Sequence, residues 1–169
     1  MIQKFLEISP RRFRESFGRY YEDFEIGDVY EHRPGRTISE ADNTWFTLLT
    51  MNTHPMHFDV EYAKHSEFGK PIVASPLTLA ILVGMSVTDV SQKAIVNLGW
   101  ESIGLTHPVF AGDTLYASST VLEKRESASR KNAGIVTVHT SGTNQVGIEV
   151  CTFTRTMLIA KSGTLTQDQ

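Results

Sequence analysis

The hydrophobic pattern of this chain changes character about half-way along. Up to Met85 the apolar residues come in helix-like runs; from Ala94 onward they alternate or bunch in short stretches rich in Val, Ile and Thr. Ser39 reads as a helix N-cap, with Glu40 and Asp42 at the positive helix end and Trp45, Phe46, Leu48 and Leu49 as the apolar face. Val60 to Phe68 predicts a second short helix, ended by Gly69. Ser75-Pro76 opens a third, with Ser as cap and Pro at the first helical position. Its Leu77, Leu79, Ala80, Ile81, Leu82, Val83 and Met85 are apolar on nearly all sides, so this helix is expected to be enclosed.

Strands are predicted at 29–32, 36–38, 94–98, 102–105, 114–122, 134–140 and 148–159, parted by turn signals such as Gly112-Asp113 and Asn144 to Gly147. Several strands in a row after one buried helix predict an α+β fold, an antiparallel sheet wrapped around a long central helix. The domain is expected over 19–160, after an irregular N-terminal extension (1–18) and before a polar, flexible tail (161–169).

Composition narrows the function classes. The 169 residues suit one domain. A net charge of -3, from 16 basic and 19 acidic residues, gives no broad footprint for nucleic acid. The lone Cys151 cannot form an intramolecular disulfide and lies in a strand-like run, where it reads as a small buried side chain. The longest apolar stretch, Leu77 to Val87, is too short for a membrane span of about 20 residues, and the N-terminus shows no secretory apolar region. A cytoplasmic protein is expected, with neither membrane nor nucleic acid as partner.

The chemistry concentrates in Asn52-Thr53-His54-Pro55-Met56-His57-Phe58-Asp59, which holds two histidines, an amide and a carboxylate just upstream of the apolar helix. His54 and His57 have a spacing that could face one ion on a helix, but Pro55 breaks the helix and no second cluster adds ligands, so no metal is expected. Asp59 reads as the cap of the following helix and His54 as a loop residue. The scattered His32, His65, His107 and His139 read as surface or satisfied side chains.

This block resembles the MaoC-like, R-specific enoyl-CoA hydratase family. The likeness continues through Tyr62-Ala63-Lys64, Phe68-Gly69-Lys70-Pro71-Ile72-Val73 and Pro108-Val109-Phe110-Ala111-Gly112-Asp113, and it spans roughly Tyr20 to Ile159. The resemblance implies a hot-dog fold. It also implies an acyl-CoA substrate, with coenzyme A present as part of that substrate and no other cofactor. It further implies a homodimer, or an assembly of dimers, whose sites form where two sheets join. His57 matches the catalytic histidine. Asn52 stands where the family carries a catalytic Asp, Ala74-Ser75 stands for its His-Gly pair, and Val83 for a Ser of the acyl pocket. The Asn-containing form is similar to MaoC-like dehydratases of mesaconyl-CoA and methylmalyl-CoA conversion.

Hydration of an enoyl thioester needs a base for water, a donor for the α-carbon and a stabiliser for the thioester oxyanion. His57 can do the first two near neutral pH. The Asn52 carbonyl can orient the water. Main-chain N–H groups at Ala74 and Ser75 face the positive helix end and can hold the oxyanion, whereas Pro76 has none. The expected function is hydration or dehydration of a short-chain 2-enoyl-CoA, branched or dicarboxylic ones included. A non-catalytic acyl-CoA-binding or partner subunit is an alternative, since Asn52 replaces the acid. An acyl-CoA thioesterase is another.

Overall fold

The computed structural model describes residues 5–164. Its elements run β1 (Phe5–Ser9), β2 (Arg12–Glu15), β3 (Val29–Thr37), α1 (Glu40–Thr50), α2 (Val60–Lys64), α3 (Ser75–Met85), β4 (Ala94–Leu105), β5 (Thr114–Glu126), β6 (Ala133–Thr143) and β7 (Glu149–Ala160). An antiparallel sheet of five strands, ordered β3-β5-β6-β7-β4, carries α3 against one face. This is the expected α+β arrangement. Among the described residues no helix is long and apolar enough to cross a membrane.

Strict alternation builds the three central strands. Through Thr114–Val121 of β5, most of β6 and the middle of β7 every second residue is buried, as pleating demands of a sheet with one covered face. The inward residues form two clusters. One joins Leu77 and Leu82 of α3 to Ile38, Leu115, Ala117, Cys151 and Phe153. The other joins Tyr21, Phe24 and Val90 to Val121, Val136, Val138, Met157 and Ile159. Gly142 of β6 is required where α3 crosses it, because a Cβ there would stand 2.3 Å from a Leu82 methyl carbon. Cys151 is fully buried, and burial pushes its thiol up to about 11, so it is no nucleophile.

Polar side chains separate the two clusters. The fully buried His32 joins Asp89 through Nδ1 at 3.0 Å and Ser119 through Nε2 at 2.8 Å. Ser119 Oγ meets Thr140 Oγ1 at 2.8 Å. Arg155, 1% exposed, donates to Ser86 Oγ at 2.8 Å while its Nε finds no acceptor.

Several expectations need correction. The N-terminal extension is not irregular: β1 and β2 pair as a hairpin, Phe5 opposite Glu15, turning at Arg11, whose φ is 62°. The start of the tail is held, with Lys161 N–H on the Asn132 carbonyl and Ser162 N–H on Glu22; residues 165–169 lie outside the described residues. The two strands predicted at 94–98 and 102–105 are one edge strand, β4, whose pairing with β7 shifts register at three places. The second helix stops at Lys64, because the Ser66 hydroxyl takes the Ala63 carbonyl and turns the chain.

Two further corrections bear on the site. Ser75 is the first residue of α3, not its cap; Ala74 holds the cap position. Nor is α3 enclosed in the single chain, where Leu77, Thr78 and Leu82 are buried but Ser75, Pro76, Ala80 and Gly84 are exposed. Helix α1 is rotated relative to expectation: of its expected apolar face only Phe46 packs on the core, while it buries Asn43 and Thr47 and leaves Trp45, Leu48 and Leu49 between 67% and 79% exposed.

Candidate active site

The site starts with a well-capped helix. Ser39 Oγ accepts the Asp42 N–H at 3.1 Å and Asp42 accepts the Ser39 N–H at 2.7 Å, a reciprocal cap that fixes where α1 begins. One turn on, α1 turns the amide of Asn43 inward. Its Nδ2 donates to the His57 carbonyl at 2.7 Å and the Ile72 carbonyl at 3.1 Å, and its Oδ1 accepts the Ala74 N–H at 2.9 Å. One side chain thus ties the histidine loop to the start of α3.

The loop is set by its own polar groups. Asn52 Oδ1 accepts the His54 N–H at 3.1 Å, and His54 Nδ1 accepts the Met56 N–H at 3.2 Å, so that Pro55–His57 form a single tight helical turn. Asp59 Oδ1 caps α2 through the Tyr62 N–H at 2.9 Å. The half-buried His57 ring places Nδ1 3.0 Å from the Ile72 carbonyl oxygen. A carbonyl can only accept, so Nδ1 carries a proton, and in the neutral ring Nε2 is the nitrogen with the free lone pair.

His57 lines a cavity of about 280 Å³ together with Asn43, Phe58, Val60, Lys70 and Phe110. Its wall continues through Glu40, Thr44, Pro71 and Ala111. Asn52 lies in the same loop but its oxygen serves the His54 N–H, and it does not line this cavity. The Ala74 N–H is taken by Asn43, which removes it as an oxyanion donor. Ser75 is left as the first main-chain N–H of α3, with no partner inside its own helix. Val83 packs beside the apolar cluster under α3, away from His57, and its carbonyl accepts the Ser86 hydroxyl at 2.7 Å. Among the described residues no three His, Cys, Asp or Glu side chains gather as a metal site.

Sequence reasoning missed Asn43, Lys70 and Phe110. Asn43 did leave a signal: an amide in a helix interior, a poor place for it, on the face opposite Trp45, Leu48 and Leu49.

The family model described as mesaconyl-CoA hydratase matches residues 3–169. The chain belongs to this family. A mesaconyl-CoA hydratase of Cereibacter sphaeroides is 32% identical over 147 residues, 87% of this chain but 43% of that protein. The chain therefore spans about two fifths of the length of the curated mesaconyl-CoA hydratases it matches. A solved monoamine oxidase regulatory protein of Archaeoglobus is 35% identical with a TM-score of 0.76, covering 86% of this chain and 96% of that one. A Mycobacterium tuberculosis protein with a double hot-dog fold superposes with a TM-score of 0.80 at 20% identity, over 88% of this chain and 46% of that one. The sheet with α3 on its face is one hot-dog unit, and this member of the hydratase family carries its histidine block on the segment between α1 and α2 of that unit.

Proposed function

We propose that the chain is a hydro-lyase that adds water to, or removes it from, a short-chain 2-enoyl-CoA of the mesaconyl type, working as a cytoplasmic homodimer. The observation that carries this reading is the His57 tautomer. Its Nε2 lone pair is available as a base, and its loop is tied through Asn43 to the first turn of α3. In the hydration direction Nε2 takes a proton from water as the oxygen bonds to the β-carbon. The C=C electrons move to the thioester oxygen, where the Ser75 N–H and the positive helix end hold the charge. Collapse of that enolate takes the proton from Nε2 to the α-carbon and restores the neutral ring. Asn52 cannot accept a proton, so in this reading His57 handles the proton without an acid at that position. Coenzyme A enters as part of the substrate, and the reading asks for no other cofactor.

The homodimer is supported by what the single chain leaves uncovered: Trp45, Leu48 and Leu49 of α1, and Val96, Leu98 and Trp100 along the edge strand β4. The Mycobacterium tuberculosis neighbour carries a double hot-dog fold, an arrangement that a second copy of this unit would reproduce.

The test is loss of enoyl-thioester absorbance with crotonyl-CoA and mesaconyl-CoA, with His57→Ala alongside. Turnover that disappears in the variant supports the proposal. No turnover with any enoyl- or 3-hydroxyacyl-CoA, while CoA esters still bind, would replace it with a non-catalytic acyl-CoA-binding subunit.

A further inference from the structure

The cavity that holds His57 contains a cation that the proton chemistry does not use. Lys70 lines it, and among the described residues its ammonium has no carboxylate within ion-pair distance; instead it stands 4.1 Å over the Phe110 ring. Phe110 is braced in turn by Phe68, ring centres 6.4 Å apart. The ring face holds the positive end of this exposed, flexible side chain at the cavity wall without neutralising it. Glu40 lines the same cavity and forms no ion pair with Lys70. Between them lie Phe58, Val60 and Pro71, apolar surface that suits a carbon chain or a methyl branch.

We infer that Lys70 is the receptor for an anionic group of the substrate, namely the free carboxylate of a dicarboxylic acyl chain. The inference rests on the hydratase reading and names its substrate class. The same chemistry would serve a phosphate of coenzyme A. Two facts favour the acyl carboxylate. A cavity of about 280 Å³ puts Lys70 close to the base, His57. The CoA phosphates are separated from the thioester by the whole pantetheine arm.

The experiment compares wild type with Lys70→Gln on four thioesters: mesaconyl-CoA, crotonyl-CoA and the N-acetylcysteamine thioesters of the same two acids, which carry no phosphate. Losing one charge-assisted hydrogen bond is expected to lower kcat/KM by about tenfold to a hundredfold for both mesaconyl thioesters, chiefly through KM, and to leave both crotonyl thioesters near wild type. Glu40→Gln is expected to act oppositely, lowering KM for the mesaconyl pair. Equal loss on both CoA thioesters with none on the phosphate-free pair would assign Lys70 to coenzyme A and overturn the inference. So would no change on any thioester, or a wild type that hydrates crotonyl-CoA but not mesaconyl-CoA. Each of these leaves a hydratase standing, the last without its mesaconyl-type substrate. A wild type that hydrates no thioester would sink both.

Discussion

The Ile72 carbonyl decides which nitrogen of His57 is basic: it receives the Nδ1 proton at 3.0 Å and leaves Nε2 to do chemistry. His57→Asn separates structure from catalysis, because the Asn amide can still donate to Ile72 while nothing replaces Nε2. This variant should melt close to wild type in calorimetry, yet lose about 10²- to 10⁴-fold in kcat, the range of general acid–base contributions. A variant that keeps its rate would remove His57 from the mechanism.

Asn43 makes three hydrogen bonds to main-chain groups of the His57 loop and the α3 entry. Asn43→Ala leaves two carbonyls and one N–H without it, at a cost of about 2–3 kcal/mol. Asn43→Asp keeps the acceptor for Ala74 but loses both donors, so its carboxylate faces two carbonyls. Urea titration should place both variants below wild type in midpoint, and steady-state kinetics should show kcat falling more than KM rises. A wild-type midpoint in Asn43→Ala would mean that the loop holds itself.

The buried His32 makes stability depend on pH. Burial lowers its pKa below the ordinary value, against the opposing pull of Asp89. The unfolded chain takes up the imidazole proton near pH 6.5 while the folded chain does not, so this contribution to stability is complete above about 6.5 and is lost as pH falls toward the folded value. Denaturant midpoints measured from pH 8 to pH 5 should decline through the lower part of that window. His32→Gln should be less stable throughout but show a shallower decline, and an unchanged slope in that variant would assign the pH dependence elsewhere.

Arg155 is an expensive residue to bury. Desolvation brings its pKa down to about 10, its Nε is unsatisfied, and among the described residues no carboxylate pairs with it. Arg155→Met, of similar length and apolar, should therefore match or exceed wild-type stability, whereas Arg155→Ala should cost about 3 kcal/mol by opening a cavity. A large loss in the Met variant would show that the guanidinium holds the C-terminal end of α3 through Ser86.

What the sequence disclosed and what it hid follow from the range of the interactions. β5, β6 and β7 were legible because pleating is local and their alternation is regular. The caps at Ser39 and Asp59 were legible because donor and acceptor stand three residues apart. The order of its motif singled out His57, and the structure places it in the wall of a cavity. Asn43 was hidden because its partners lie 14 to 31 residues away. Lys70 was hidden because only the folded chain brings it beside His57. The orientation of α1 was misjudged because an apolar face was assigned to the chain's own core.

That overturned helix links colloidal behaviour to catalysis. In the proposed homodimer, a chain that carries Trp45, Leu48 and Leu49 uncovered, on the same helix whose Asn43 ties down the His57 loop, would lose more than a contact when its neighbour leaves. Its working shape then becomes a function of concentration: dilution should silence the enzyme before it unfolds, and crowding should restore it without any effector.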